Sequence, residues 1–134
     1  MNHGIRLPFY VGKSPTLKIR GLIATEKILK GQIIERCPAI IFPKNPDIIE
    51  QTIFDHYVFD WNETHEALAL GYGSLCNHSY DRNVEVDFDI DGKYITFSAI
   101  KNINIGDELF INYNDDSFDP IDSDYLRFDK DLKS

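Results

Sequence analysis

The sequence predicts a mainly β domain of several short strands, with only brief helical turns between them. Three observations lead there. Gly and Pro punctuate the chain at short intervals and leave apolar pieces of strand length at 5–12, 17–24 and 32–42. Val84, Val86, Phe88 and Ile90 alternate with Glu85, Asp87, Asp89 and Asp91, a period of two. A segment opening at Ala24 is echoed by one opening at Ala99, with alanine, isoleucine and glycine recurring in step at Ala24/Ala99, Ile28/Ile103 and Gly31/Gly106. Each copy reads as strand, tight turn, strand. Two copies make no solenoid, so they predict two similar small β units packed together, with residues 43–76 inserted between them.

The elements follow in order. Ser14-Pro15 and Lys30-Gly31 separate the three apolar pieces of the N-terminal part. Asn45-Pro46-Asp47 reads as a helix start, because Asn accepts orphan amide hydrogens and Pro is tolerated at the first helical position. Ile48, Ile49, Thr52 and Ile53 then share one face of a short helix, and 54–76 is expected to be irregular with short helical turns. Beyond it, Asp91-Gly92 predicts a two-residue hairpin turn, since both positions tolerate positive φ. Pairing about that turn sets Phe88 opposite Ile95, Val86 opposite Phe97 and Val84 opposite Ala99. One face of the hairpin is then apolar throughout, and turn and register agree.

A chain of 134 residues is most simply one domain, large enough to bury a core. With 43% hydrophobic residues it is expected to fold rather than stay disordered. No apolar run approaches the roughly 20 residues of a membrane helix. The opening residues lack a signal-peptide pattern, so an intracellular protein, cytoplasmic or nuclear, is expected. Cys37 and Cys76 stand in no Cys-x-x-Cys pattern and are expected as free, buried small hydrophobes. A net charge of −8 argues against direct nucleic-acid binding, which needs clustered Lys and Arg, and is compatible with a basic peptide partner. From Asn114 onward aspartates are frequent and apolar or aromatic residues isolated, so an acidic tail with some docked side chains is expected.

Asp87-x-Asp89-x-Asp91-Gly92 imitates the start of a calcium loop. The twelfth position is Ser98 where a bidentate Glu is required, and the segment is strand rather than helix-flanked, so the calcium reading fails. His3, His56 and His65 show no metal-ligand spacing. No metal is expected.

Two further segments carry the chemistry. Asn77-His78-Ser79-Tyr80-Asp81-Arg82-Asn83 resembles the Asn-His-Ser-x-x-Pro-Asn signature of the SET-domain family of protein lysine methyltransferases, with Arg82 in place of Pro. Gly106-Asp107-Glu108-Leu109 followed by Tyr113 resembles that family's Gly-Glu-Glu-Leu-x-x-x-Tyr. Tyr57-Val58-Phe59-Asp60 and Ile19-Arg20-Gly21 are similar to two upstream family segments, the second with Ile19 where a glycine is usual. The resemblance covers about 8–118 and is strongest to compact viral and bacterial members without pre-SET or post-SET modules.

The resemblance implies small curved sheets whose C-terminal segment threads under a loop as a pseudoknot. It implies a single SET domain at 1–118, with its central insert at 43–76 and an acidic tail at 119–134. It implies S-adenosylmethionine as methyl donor, S-adenosylhomocysteine as product, and a lysine in a basic, histone or histone-like protein segment as acceptor. Asn77, the His78 backbone, Ile19, Arg20, Gly21, Tyr57 and Phe118 would hold the cofactor. Tyr113 would be the catalytic phenol, with Tyr72 and Ile111 beside it in the substrate channel. Homodimerisation is a further implication, because longer relatives cover apolar surface with flanking domains. Ile19 and Arg82 motivate a second reading, a SET-fold peptide-binding module with little or no catalysis.

Overall fold

The structure is a computed structural model and describes residues 6–49 and 51–113. Nine strands dominate it: β1 Phe9–Lys13, β2 Arg20–Ala24, β3 Ile33–Pro43, β4 Val58–Asp60, β5 His65–Ala69, β6 Asn77–His78, β7 Val84–Asp89, β8 Tyr94–Ala99 and β9 Phe110–Ile111. Single 3-10 turns at Ile53–His56 and Gly73–Leu75 are the helical elements among the described residues. The strands form a β1–β2 hairpin, a five-stranded sheet in the order β4-β5-β3-β8-β7, and a parallel β6–β9 pair.

β3 gives the large sheet its curvature. Its first half, to Pro38, pairs with β8 and its second half, from Ala39, pairs with β5 along the opposite edge. A register shift between Ile33 and Glu35 interrupts the β8 ladder, and such a shift bends and twists a strand.

The predicted hairpin register is the observed one: Val84 pairs Ala99, Val86 pairs Phe97 and Phe88 pairs Ile95. The turn differs. The ladder closes at Asp89–Tyr94, and four residues connect the strands instead of two. Positive φ falls on Lys93 (60°), while the Gly92 amide is held by the Asp89 carboxylate at 3.0 Å. An Asp side chain competing for turn amides favours this wider loop.

The internal echo is also real in three dimensions. Ile28 and Ile103 exchange backbone hydrogen bonds of 2.9 and 2.8 Å. The Gly31 amide donates to the Ala99 carbonyl and the Gly106 amide to the Ala24 carbonyl, at 2.8 and 2.9 Å. Both glycines have φ of 90°. The two units therefore face each other about a local pseudo-twofold. A Cβ at either glycine would meet nothing within 4 Å, so only backbone strain opposes a side chain there. Gly31→Ala and Gly106→Ala are each expected to cost about 1–2 kcal/mol in chemical denaturation, with activity little changed.

Two expectations are corrected. No α-helix forms among the described residues of 48–53. Asn45 caps a single turn, with its side chain accepting from the Asp47 amide and its carbonyl from Ile48 and Ile49. Ile48 and Ile53 are exposed, so no buried face repays nucleation in this β-branched stretch. The 3-10 turn starts only after Thr52, whose side chain accepts from the Phe54 amide. Residues 54–76, read as irregular, contain β4 and β5. These strands are three and five residues long, too short for a period to show above the loops around them.

The core joins all three sheets. Leu22, Ile28, Val84, Ile95, Phe97, Ile103 and Leu109 are each essentially inaccessible to solvent, and burying a side chain of this size contributes about 1.5–3 kcal/mol. Cys37 and Cys76 are buried and form no disulfide, as expected.

Candidate active site

The two signature segments lie side by side. In the parallel β6–β9 pair, Asn77 is opposite Phe110 and His78 opposite Ile111, and the Ser79 amide extends the ladder to the Ile111 carbonyl at 2.9 Å. Asn83 fastens the same segment from the other end of its motif. Its Nδ2 donates to the Glu108 carbonyl at 2.9 Å and its Oδ1 accepts from the Phe110 amide at 2.8 Å. An asparagine can satisfy one donor and one acceptor of a neighbouring backbone at once, and that dual capacity is used here. Arg82, in the place of the usual proline, leaves this clamp intact.

Three residues beyond β9's start, the chain turns Tyr113 back onto the loop. The Tyr113 hydroxyl donates to the Cys76 carbonyl at 2.8 Å, and its amide donates to His78 Nδ1 at 2.9 Å. The phenol is buried, 7% exposed, with its ring 5.1 Å from the His78 imidazole. His78 thus touches both Tyr113 and Tyr80, whose ring stands edge-on at 4.5 Å. With Nδ1 accepting, a neutral imidazole carries its proton on Nε2.

On the opposite side of Asn77 lies the N-terminal hairpin. Residues 107–109 run beside β2: Ala24 donates to the Asp107 carbonyl and Leu109 to the Leu22 carbonyl, both at 2.8 Å. The C-terminal segment therefore passes between β2 and the 77–83 loop, the described part of the implied threading. Asn77 is fully buried, and its Nδ2 donates to the Arg20 carbonyl at 3.1 Å and to Glu108 Oε2 at 2.7 Å. Glu108 Oε1 accepts from the Ser14 hydroxyl. Gly21 lies directly against this group. A Cβ there would come within 2.5 Å of Glu108 Oε2 and 2.7 Å of Asn77 Nδ2, so glycine is required by close approach rather than by an unusual φ.

Ile19, the other position of that segment, is buried. The left-handed conformation falls one residue earlier, at Lys18 (φ 64°), so the missing glycine imposes no backbone strain at Ile19. Arg20 is exposed and pairs with Lys13 across the hairpin.

The Gly-rich loop before Asn77 is held from β3. Glu35 accepts from the Tyr72 amide at 3.0 and 3.1 Å and from the Gly73 amide at 2.9 Å. Tyr72 is 46% exposed, with its ring edge-on to Phe9. Burial, reinforced by the neighbouring Glu35 carboxylate, pushes the Cys37 thiol up to about 12. The sign follows. Above pH 9 the unfolded thiol ionises while the folded one keeps its proton, so stability is full below that pH and falls as pH rises toward 12. Cys37→Ala is expected to flatten that alkaline decline in urea denaturation series.

Of the residues named from sequence, the structure brings together Ile19, Arg20, Gly21 and Asn77 on one side and His78, Ile111 and Tyr113 on the other, with Asn77–His78 as the hinge. Ile111 is buried in the core cluster. Tyr57 is half-buried where the 3-10 turn leads into β4, and its contact with a cofactor stays an implication of the resemblance. Phe118 and the tail at 119–134 lie outside the described residues. Sequence reasoning gave no role to Ser14, Glu35 or Glu108. A signal for Glu108 existed: it is a carboxylate opening the apolar run Leu109-Phe110-Ile111. Ser14 carried none, because Ser-Pro reads only as a turn.

Asn77 Oδ1 is a buried oxygen with no hydrogen-bond partner among the described residues, as is Ser74 Oγ nearby in sequence. Leaving such an acceptor bare costs about 1–3 kcal/mol, so a site with a donor to offer is expected to fill it. The residues present thus fit a ligand carrying hydrogen-bond donors beside the β2 backbone. Among the described residues no His, Cys, Asp or Glu group could hold a metal ion.

Three short curved sheets, a threaded C-terminal strand and a phenol turned onto an Asn-His loop define a SET fold. Comparison with known proteins agrees. The model of the SET domain matches residues 19–114. A histone-lysine N-methyltransferase of Schizosaccharomyces pombe, specific for H3 lysine-37, is 34% identical over 115 residues, covering 83% of this chain and 76% of that protein. The crystal structure of a candidate histone methyltransferase of Plasmodium falciparum superposes with a TM-score of 0.62 at 31% identity, covering 78% of this chain and 96% of that one. A Chaetomium thermophilum Polycomb Repressive Complex 2, in a humanized mutant form bound to an inhibitor, shares the fold at a TM-score of 0.67 and 24% identity; 83% of this chain matches 15% of that chain. The chain belongs to the SET-domain family of protein-lysine methyltransferases.

Proposed function

We propose that this protein transfers a methyl group from S-adenosylmethionine to the ε-amine of a lysine in a basic, histone-like segment. The observation that carries the reading is the Tyr113 hydroxyl, buried and directed at the Cys76 carbonyl immediately before Asn77. When bound, S-adenosylmethionine supplies a methyl group activated by a sulfonium and leaves as S-adenosylhomocysteine. Asn77, the His78 backbone and the 19–21 strand would hold it, with Tyr57 and Phe118 bounding the same pocket.

The chain's own residues would do the rest. Tyr113, its proton committed to Cys76, keeps oxygen lone pairs to accept an N–H and orient an amine, an aligning role rather than that of a strong base. An exposed lysine has a pKa of about 10.4, so the attacking amine must lose its proton first. As walls of the lysine channel, Ile111 and Tyr72 would disfavour the ammonium form. The net charge of −8 steers a basic segment toward the protein.

The histone specificity of the fission-yeast relative makes a histone tail the first acceptor to try. A compact single domain at 1–118, homodimer formation, a cytoplasmic or nuclear location, and the absence of nucleic-acid, membrane and metal partners complete the proposal. No helix among the described residues is long and apolar enough to cross a membrane. The binding-module reading loses support from Ile19, which takes an ordinary backbone conformation.

Calorimetry with S-adenosylmethionine and a mass-spectrometric methylation screen over basic proteins test the proposal. Binding together with a mass gain of one or more methyl groups on lysine is expected. A protein that neither binds nor transfers overturns it. Binding of a basic peptide without transfer would instead favour the module.

A further inference from the structure

Asn77 has one side-chain orientation available to it. The two groups facing its outer side-chain atoms on the hairpin side, the Arg20 carbonyl and Glu108 Oε2, are both acceptors and nothing else. The amide nitrogen must therefore face them, and the oxygen is left buried on the other side without a partner among the described residues. Remove the carboxylate and that choice weakens, since a single carbonyl at 3.1 Å would remain to fix it.

Glu108 is itself fastened. It is 6% exposed, and its other oxygen accepts a hydrogen bond from the hydroxyl of Ser14, which is 1% exposed. Ser14 is built into the β1–β2 turn: its amide donates to the Ile19 carbonyl at 2.7 Å, its carbonyl accepts from Lys18 at 3.2 Å and its Oγ accepts from Leu17 at 3.0 Å. One carboxylate thus joins three parts of the chain: the 14–21 hairpin, the Asn77 loop and the segment that leads on to Tyr113. Gly21 packs directly against this carboxylate, and any side chain there would displace it.

We propose that Glu108, held by Ser14, is a positioning residue that sets the Asn77 amide so that Oδ1 is presented to a hydrogen-bond donor of the cofactor. The inference rests on the S-adenosylmethionine reading above. It assigns a task to a residue that touches no substrate. It also accounts for a buried carboxylate that would otherwise bring only a desolvation cost.

The test uses the full chain and S-adenosylhomocysteine as probe, with affinity read by calorimetry and folding by thermal melts. Ser14→Ala and Glu108→Gln are each expected to weaken binding about three- to tenfold, the range of one lost hydrogen bond. Gln can still accept from Asn77 while donating to Ser14, so its loss should be the smaller one and Glu108→Leu the larger. In an Asn77→Ala background the Ser14→Ala effect should vanish, because the group being positioned is gone. An effect of purely structural origin would persist there unchanged. The side-chain NH2 resonances of Asn77, identified by their loss in Asn77→Ala, should be protected from solvent exchange in the wild type without ligand and lose protection in Ser14→Ala.

Wild-type-like affinity in both Ser14→Ala and Glu108→Gln overturns the inference and leaves the cofactor reading standing. So does a loss that survives in the Asn77→Ala background. Failure of the wild type itself to bind the probe overturns the cofactor reading, and this inference falls with it. Should Glu108→Gln melt below the assay temperature, Ser14→Ala alone decides, since it removes a single oxygen.

Discussion

Tyr113→Phe is expected to lower methyl transfer by about 10²–10³-fold while leaving the fold and cofactor affinity largely in place. The phenyl ring keeps its packing against His78, and the backbone amide keeps its bond to His78 Nδ1. What disappears is one hydroxyl. The Cys76 carbonyl then loses the phenol as a donor, one hydrogen bond worth about 0.5–1.5 kcal/mol of stability. A melt that shifts by this amount, with turnover at saturating cofactor down by two to three orders, is the result expected. Full turnover in the Phe variant would remove Tyr113 from the chemistry. Equal losses in affinity and turnover would make it a cofactor-binding residue instead.

The second large effect is on stability. Phe97 is 1% exposed on β8, with Phe59 edge-on to its ring at 5.9 Å. Phe97→Ala is expected to cost about 3–5 kcal/mol, the transfer loss plus the cavity left behind. The consequence reaches the site through Gly73. A Cβ on Gly73 would overlap the Phe97 ring, so the 3-10 turn before Cys76 rests directly on that ring. Gly73→Ala is therefore destabilising in the wild type, by about 1–3 kcal/mol. In the Phe97→Ala background the added methyl enters the cavity, and its cost should shrink or reverse. Urea denaturation of the four proteins in this cycle measures the coupling. Additive costs would show that ring and glycine are not the contact described.

The same residues separate what was legible from what was not. The hairpin 84–99 was readable because an alternating pattern and a turn signal constrain the same register. Its loop is wider than the turn signal implies because Asp89 captures the Gly92 amide, a local competition that the pattern of apolar positions does not encode. Cap and spacing predict a short helix at 48–53, yet a cap stabilises only a helix with something to bury, and Ile48 and Ile53 face solvent. The motif residues Asn77, His78 and Tyr113 were readable through their likeness to a family. Their geometric relation was not.

By itself the sequence determined the β-rich class, the hairpin register, the paired units about Ile28 and Ile103, and the two motifs that mark the family. These are properties of residues near one another along the chain, where periodicity and turn chemistry act. The tertiary structure alone decided that Ser14, Asn77 and Glu108 meet, that Glu35 holds the 72–73 amides, and that the Tyr113 hydroxyl ends on Cys76. Ser14 and Glu108 stand 94 positions apart, Asn77 and Glu108 31. Hydrogen-bond partners at that separation are selected by the path of the folded backbone and by the cost of burying a polar atom unpaired, and no local pattern records either.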